Sequence, residues 1–288
     1  MRRWEKLGLI AGGGNLPVRL AQNCQALEAP FYVVRLTSYA DPEMAQYEGE
    51  ECGIAEMGKL IRILRDQNCD AICMAGIVRR PNLSALKPDW RGVALMPKVV
   101  AAARRGDGAL LDVMVKTFEA EGFLVIGAEE VSGALFAPAG QLGVIALRKP
   151  DLADLRKAAQ IINAIGKFDV GQGAVVRNGL VLAIEAAEGT DLMLERCANL
   201  PDEVKGYEPG EENGLRGVLL KRPKPGQELR VDLPTIGAQT IIAAHRAGLA
   251  GVAVEAEASL IIDAAETYAT ADRLGLFVYG FNAGDLET

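Results

Sequence analysis

From Leu7 to Gly127 the chain alternates short apolar runs with segments of helical spacing, and few folds accommodate that alternation. Leu7–Ala11, Phe31–Leu36, Asp70–Ala75 and Phe123–Gly127 read as strands. Between them, helical spacing runs from Asn15 toward Leu27 and over Met57–Leu64, Leu95–Arg105 and Ala109–Glu121. Asn15 is suited to cap the first helix, with Pro17 in its first turn. Strand–helix–strand units in this order predict a parallel sheet with right-handed crossovers.

The second half is less regular. Gly179–Ala187, Gly217–Lys221, Gly251–Glu255 and Leu276–Gly280 read as strands. Helices are expected from Thr190, over Thr235–Ala247 and over Ile262–Gly275. The fold class is therefore α/β in two domains, an N-terminal Rossmann-like parallel sheet and a C-terminal mixed α/β domain. A length of 288 residues agrees with two cores. The uncharged, glycine-rich run from Val131 to Leu147 suits a junction. The expected division is 1–138, a connector at 139–143, and 144–288. The site is expected between the two domains, with the junction letting them move.

Composition excludes several roles. A net charge of −7 and an aromatic content of 5% argue against a general nucleic-acid binder. The five cysteines are scattered and odd in number, without a CxxC pair, as expected of reduced thiols in a cytoplasmic protein. Met1–Lys6 leads into the first strand with no cleavage-site pattern, so export is not expected. His245 is the only histidine, which removes multi-histidine zinc sites.

Four stretches carry chemistry. Gly12-Gly13-Gly14-Asn15, between a strand and a helix, could offer backbone N–H groups to a phosphate. A dinucleotide fingerprint fails there, because its third glycine position is Pro17 and the second strand ends without an acid. Arg79 and Arg80 follow the third strand, where α/β sheets gather ligands and a guanidinium can clamp phosphate. Glu185, Glu188, Thr190 and Asp191 stand at a strand-to-helix junction. Glu185 sits inside an otherwise apolar strand and requires an Arg, a Lys or a metal as partner. Lys221–Gly237 packs Lys221, Arg222, Lys224, Arg230, Glu228 and Asp232 among three prolines. Cations suit phosphate, and an aspartate among them suits a divalent metal or an activated water.

Taken together, Gly8–Gly14, Gly76–Pro81, Gly106–Leu111, Asp169–Gly173, Glu185–Asp191, Lys224–Gly237 and Ala247–Val252 resemble the LpxI-type UDP-2,3-diacylglucosamine pyrophosphatases of lipid A biosynthesis. The resemblance spans nearly the whole chain. Glu228 departs from it, since an aspartate is expected after Pro-Gly-Gln. It implies magnesium-dependent hydrolysis (Mn²⁺ could substitute) of UDP-2,3-diacylglucosamine to UMP and 2,3-diacylglucosamine 1-phosphate, with water attacking the UMP-side phosphorus. Asp232 is then the first choice for metal ligand or base and Asp191 the second, with Glu185 a further metal ligand. Gly12, Gly13, Gly14, Asn15, Arg79, Arg80, Gln172, Thr190, Lys221, Lys224, Gln227, Arg230 and Thr235 are expected to bind substrate. The setting is the cytoplasm, peripherally at the inner face of the inner membrane, and a homodimer is one assembly open to such a chain. Two other readings stand beside this one. One is an NADP-dependent oxidoreductase using Gly12–Gly14 and Arg35, the other a non-catalytic lipid carrier.

Overall fold

The computed structural model describes residues 2–79, 82, 85–206 and 214–286. It divides into two compact units, residues 1–134 with 228–232, and residues 135–227 with 233–288. The chain leaves the second unit after Gln227, joins the first for Glu228–Asp232, and returns at Leu233.

In the first unit the order is β1 (Leu7–Ala11), α1 (Asn15–Ala26), β2 (Phe31–Leu36), β3 (Gly49–Cys52), α2 (Met57–Asp66), β4 (Ala71–Ala75), α3 (Trp90–Ala103), α4 (Asp107–Ala120), β5 (Leu124–Val125) and α5 (Ala128–Val131). The five strands form an all-parallel sheet in the order β3-β2-β1-β4-β5, the Rossmann-like arrangement expected from the sequence. β1 and β4 are apolar throughout, as strands in a sheet covered on both faces require. Ile10, Tyr32, Val34 and Ile72 pack with Leu60, Ile61 and Leu64 of α2 and with Val115 and Phe118 of α4. Asn15 is the first residue of α1 rather than its cap, a position held by Gly14 at φ 85°.

The second unit continues with β6 (Gly140–Gln141), α6 (Lys149–Gly166), β7 (Gly173–Arg177), β8 (Leu180–Ile184), α7 (Gly189–Ala198), α8 (Asp202–Lys205), β9 (Val218–Lys221), β10 (Thr235–Ile236), α9 (Ala238–Arg246), β11 (Gly251–Glu255), β12 (Leu260–Ile261), α10 (Ala264–Leu274) and β13 (Phe277–Phe281). Its main sheet runs β6-β13-β11-β9-β7-β8 and is mixed. β13, β11 and β9 are mutually parallel, while β6 and the β7–β8 hairpin pair antiparallel at the two sides. Gly140–Gln141, expected within a connector, is an edge strand of this sheet.

Alternation along the strands assigns the two faces. Leu219, Val252 and Val254 pack with Met193 and Leu194 of α7, Ile241 of α9 and Ala271 of α10. Val218, Leu220 and Ala253 pack with Leu155, Ala158 and Ile162 of α6 on the opposite face. Asp154 of α6 accepts the N–H groups of Asn178 (2.9 Å) and Gly179 (2.7 Å), so the helix caps the turn of the β7–β8 hairpin.

All five cysteines are buried and unpaired. Burial pushes the thiols of Cys24, Cys52, Cys69 and Cys197 up to about 11, and that of Cys73 further. The thiolate is the reactive form, so it is scarce at neutral pH. Native protein at pH 8 is expected to leave all five thiols unlabelled by a disulfide reagent, and denatured protein to label all five. Rapid labelling of any one in the native state would contradict this burial.

Candidate active site

A polar cluster occupies one end of the second unit's sheet. β9 ends at Lys221, which pairs with Gly173 at the start of the antiparallel β7. β8 ends beside it, and the Glu185 N–H donates to the Gly173 carbonyl at 2.9 Å. This is the carboxyl end of the parallel strands β9 and β11, where open α/β sheets place ligands. The loop that enters β7 bends tightly there. Gly171 adopts φ 56°, and a Cβ at that position would lie 2.0 Å from the Glu185 carbonyl oxygen. Only glycine satisfies both conditions.

Glu185 is 6% exposed. Its partners are the Thr190 hydroxyl, donating to Oε1 at 3.0 Å, and the Gln172 N–H, donating to Oε2 at 3.4 Å. In place of an Arg or Lys, the protein supplies neutral donors from the first turn of α7 and the Gly171 bend. Each carboxylate oxygen accepts one hydrogen bond from within the protein. Asp191, one residue beyond Thr190, is exposed in the first turn of α7.

The cations divide into two groups. Lys221 is 5% exposed, and its ammonium donates to the Thr235 carbonyl at 3.0 Å. Lys224 bonds Asp169 at 2.6 Å, and its N–H donates to Gln227 Oε1 at 2.8 Å. Gln227 Nε2 in turn donates to Gln172 Oε1 at 3.2 Å. Lys224, Gln227, Gln172, Glu185 and Thr190 are therefore linked by one run of hydrogen bonds, and Lys221 lies beside it through its sheet pairing with Gly173. The Thr235 hydroxyl donates to the Leu233 carbonyl at 3.0 Å, and the Thr235 carbonyl accepts from Lys221.

Arg230 behaves differently. Its guanidinium forks onto Glu228 at 2.9 and 2.7 Å and reaches Glu119 of α4 at 2.8 Å. Within the protein it is a clamp on two carboxylates. Glu228, at the position where an aspartate was expected, is half of that clamp.

The Arg230 hydrogen bonds hold the Glu228 carboxyl below its ordinary value of 4.5, against the opposing effect of burial. A carboxyl depressed by folding contributes stability above its unfolded value, and the contribution is lost as pH falls through the folded one. Wild-type melting temperature is expected to drop on acidification below about pH 4.5, and the Glu228→Gln variant is expected to drop less. The Arg230 side chain is 35% exposed, so screening limits the difference to about 0.5 kcal/mol. Parallel melting curves from pH 3 to 7 would contradict the assignment.

In the first unit the glycine turn is a packing feature. The Gly12 N–H donates to Ala75 at 2.8 Å, the Gly13 N–H to Ile77 at 3.0 Å, and the Gly14 N–H to the Asp41 carboxylate at 2.5 Å. A Cβ on Gly12 would lie 2.9 Å from the Ile77 carbonyl, so glycine is required by the loop after β4. The three N–H groups are engaged and do not form an open phosphate cradle with Asn15. Arg79 is exposed and its carbonyl accepts from the Tyr39 hydroxyl at 3.2 Å, while Arg80 lies outside the described residues. Arg35, the cation invoked for an NADP phosphate, donates to the Tyr47 and Gly49 carbonyls at 3.2 and 2.6 Å and is committed to the fold.

Sequence reasoning missed Asp169 and the Arg222–Glu255 pair. Arg222 follows β9 and Glu255 ends β11, and they meet at 2.8 Å with side chains 8% and 14% exposed. The available signal was a charge at the end of each apolar strand. Among the described residues no three His, Cys, Asp or Glu side chains converge as a metal site. Asp191 and Asp232 are oxygen donors, which fits only a hard cation that takes one or two carboxylates and completes its shell with water and phosphate oxygens. Magnesium binds in that way.

The chain is thus a two-unit α/β protein with a buried lysine, a lysine–aspartate pair and amide groups gathered at the end of its second main sheet. The models for the LpxI N-terminal domain and the LpxI C-terminal domain match residues 6–135 and 138–279. A curated protein of Caulobacter vibrioides, named UDP-2,3-diacylglucosamine pyrophosphatase LpxI, is 52% identical over 275 residues, covering 96% of this chain and 97% of its own length. The chain belongs to the LpxI family.

Proposed function

We propose that this chain hydrolyses the pyrophosphate of UDP-2,3-diacylglucosamine, releasing UMP and 2,3-diacylglucosamine 1-phosphate, at the inner face of the inner membrane. The observation that carries the proposal is the 52% identity, over almost all of both chains, to a relative bearing the name of that enzyme. The chemistry of the polar cluster supports it. An ammonium has three donors, and Lys221 uses one of them on Thr235. Lys221 and Lys224 can therefore add phosphate oxygens to their present bonds, which places positive charge where the departing phosphate gains negative charge. Thr190, Gln172, Gln227 and Thr235 orient the neighbouring phosphate and sugar.

Asp232 takes the proton from the attacking water, which is directed at the UMP-side phosphorus. Asp232 first and Asp191 second are the residues to hold magnesium, which when bound supplies charge neutralisation at the phosphoryl oxygens and a more acidic water. The reaction is tested by incubating purified protein with substrate and Mg²⁺ and then adding a nucleotidase specific for UMP. Orthophosphate release that depends on both enzymes supports the reading. Release without the nucleotidase, or none at all, overturns it.

A further inference from the structure

The outer face of α3 carries the wrong residues for a solvated helix. Its exposed positions are Trp90, Val93, Ala94, Pro97, Lys98 and Ala101, and they recur at helical spacing along a single stripe. Trp90 is 73% exposed and Val93 58%. The stripe continues past the helix end to the exposed Arg104 and Arg105. An ordinary surface helix turns its charges outward and its apolar residues inward. α3 instead shows tryptophan, valine and proline, while Leu95 on another side packs against the first unit's core.

Charge distinguishes the stripe further. From Trp90 to Arg105 the chain has Arg91, Lys98, Arg104 and Arg105 and no acidic residue, in a protein whose net charge is −7. Arg91 is paired with Glu121 at 2.6 Å. Lys98, Arg104 and Arg105 form no ion pair among the described residues. A lipid surface with anionic headgroups matches that combination: apolar side chains and an indole enter the headgroup boundary while cations attract the phosphates. At 14 residues α3 is too short to span a bilayer, and no described helix is long and apolar enough to cross one.

We propose that the α3 stripe of Trp90, Val93, Pro97, Lys98, Arg104 and Arg105 docks this chain onto an anionic lipid bilayer. The proposal rests on the functional reading above in one respect, that a diacylated substrate resides in such a bilayer. The helix lies in the plane of the surface and holds the enzyme where its substrate is presented.

The test is co-sedimentation of the full chain with vesicles of phosphatidylglycerol and phosphatidylethanolamine, against vesicles of phosphatidylcholine alone. Wild type is expected to bind the anionic vesicles and to release as salt rises. Trp90→Ser with Val93→Ser should weaken binding on the order of tenfold. Lys98→Gln with Arg104→Gln and Arg105→Gln should weaken it about a hundredfold, at about fivefold per cation. The altered side chains are exposed, so melting temperatures should match wild type. Both variants should hydrolyse detergent-dispersed substrate at the wild-type rate. Failure of wild type to hydrolyse that substrate would sink the functional reading and leave vesicle binding still measurable. Wild type that ignores anionic vesicles, or variants that bind them equally well, would overturn the docking proposal. So would a wild-type dimer that the variants convert to monomer with vesicle binding unchanged, since the stripe would then be a contact between copies.

Discussion

Asp232→Ala is expected to lower turnover at least about a thousandfold while the protein still folds. Asp232 is half-buried and closes the short Glu228–Asp232 segment, where its N–H donates to the Glu228 carbonyl at 3.2 Å. The alanine variant keeps that backbone bond and the Arg230–Glu228 clamp, so the segment retains its shape. What disappears is the carboxylate proposed to take the proton and hold the metal. The loss should fall on kcat, with KM nearly unchanged, because the cations at Lys221 and Lys224 are untouched. Asp191→Ala is the comparison. Asp191 is an exposed first-turn acid, and its loss should cost a few tenths of a kcal/mol in stability and less activity than the loss of Asp232. A purified Asp232→Ala protein keeping more than about a tenth of wild-type activity, an effect of about 1.4 kcal/mol, contradicts the assignment.

Chelation is expected to have an effect of similar size. EDTA should abolish hydrolysis and excess Mg²⁺ or Mn²⁺ should restore it. Zinc should not substitute well, because the candidate donors are carboxylate oxygens and the single histidine, His245, lies on α9. The absence of a three-residue cluster among the described residues gives the prediction a second part. A cation held by one or two carboxylates binds weakly until phosphate oxygens complete its shell. Magnesium affinity measured by calorimetry should therefore rise sharply when UMP or substrate is present. Full activity in metal-stripped protein would leave Lys221 and Lys224 to stabilise the departing phosphate alone.

The sequence was most legible where one period dominated. β1, β2, β4 and β11 are short and largely apolar, and their positions followed from that, as did the parallel pairing of the first three. α6 was missed although Leu152, Leu155, Ala158, Ala159 and Ile162 keep helical spacing. Its alanines dilute the apolar contrast, and Asp154 on the buried face is present for the hairpin turn rather than for the core. β7 was missed despite the Asn178-Gly179 pair, a strong two-residue hairpin signal whose positive φ values the structure displays. Thr235 was read as helical, but Leu260 supplies it a strand partner and the helix begins at Ala238.

In the site, sequence identified the residue types and misjudged their partners. A buried Glu185 implied a cation, and a hydroxyl with a backbone N–H proved sufficient. Lys221, Lys224 and Arg230 were expected to bind phosphate, and in the structure Arg230 pairs with Glu228 two residues away and Glu119 more than a hundred residues away. Glycines after a strand implied a phosphate loop, yet Ala75, Ile77 and Asp41 use their N–H groups. Each difference in partner has the same origin. Residue chemistry states what a group requires, and only tertiary contacts state which neighbour satisfies it.

The most direct test is hydrolysis of UDP-2,3-diacylglucosamine in ¹⁸O-enriched water with Mg²⁺, with both products weighed by mass spectrometry. UMP carrying one ¹⁸O and unlabelled 2,3-diacylglucosamine 1-phosphate are predicted. Label in the sugar phosphate, or recovery of intact substrate, would contradict the account.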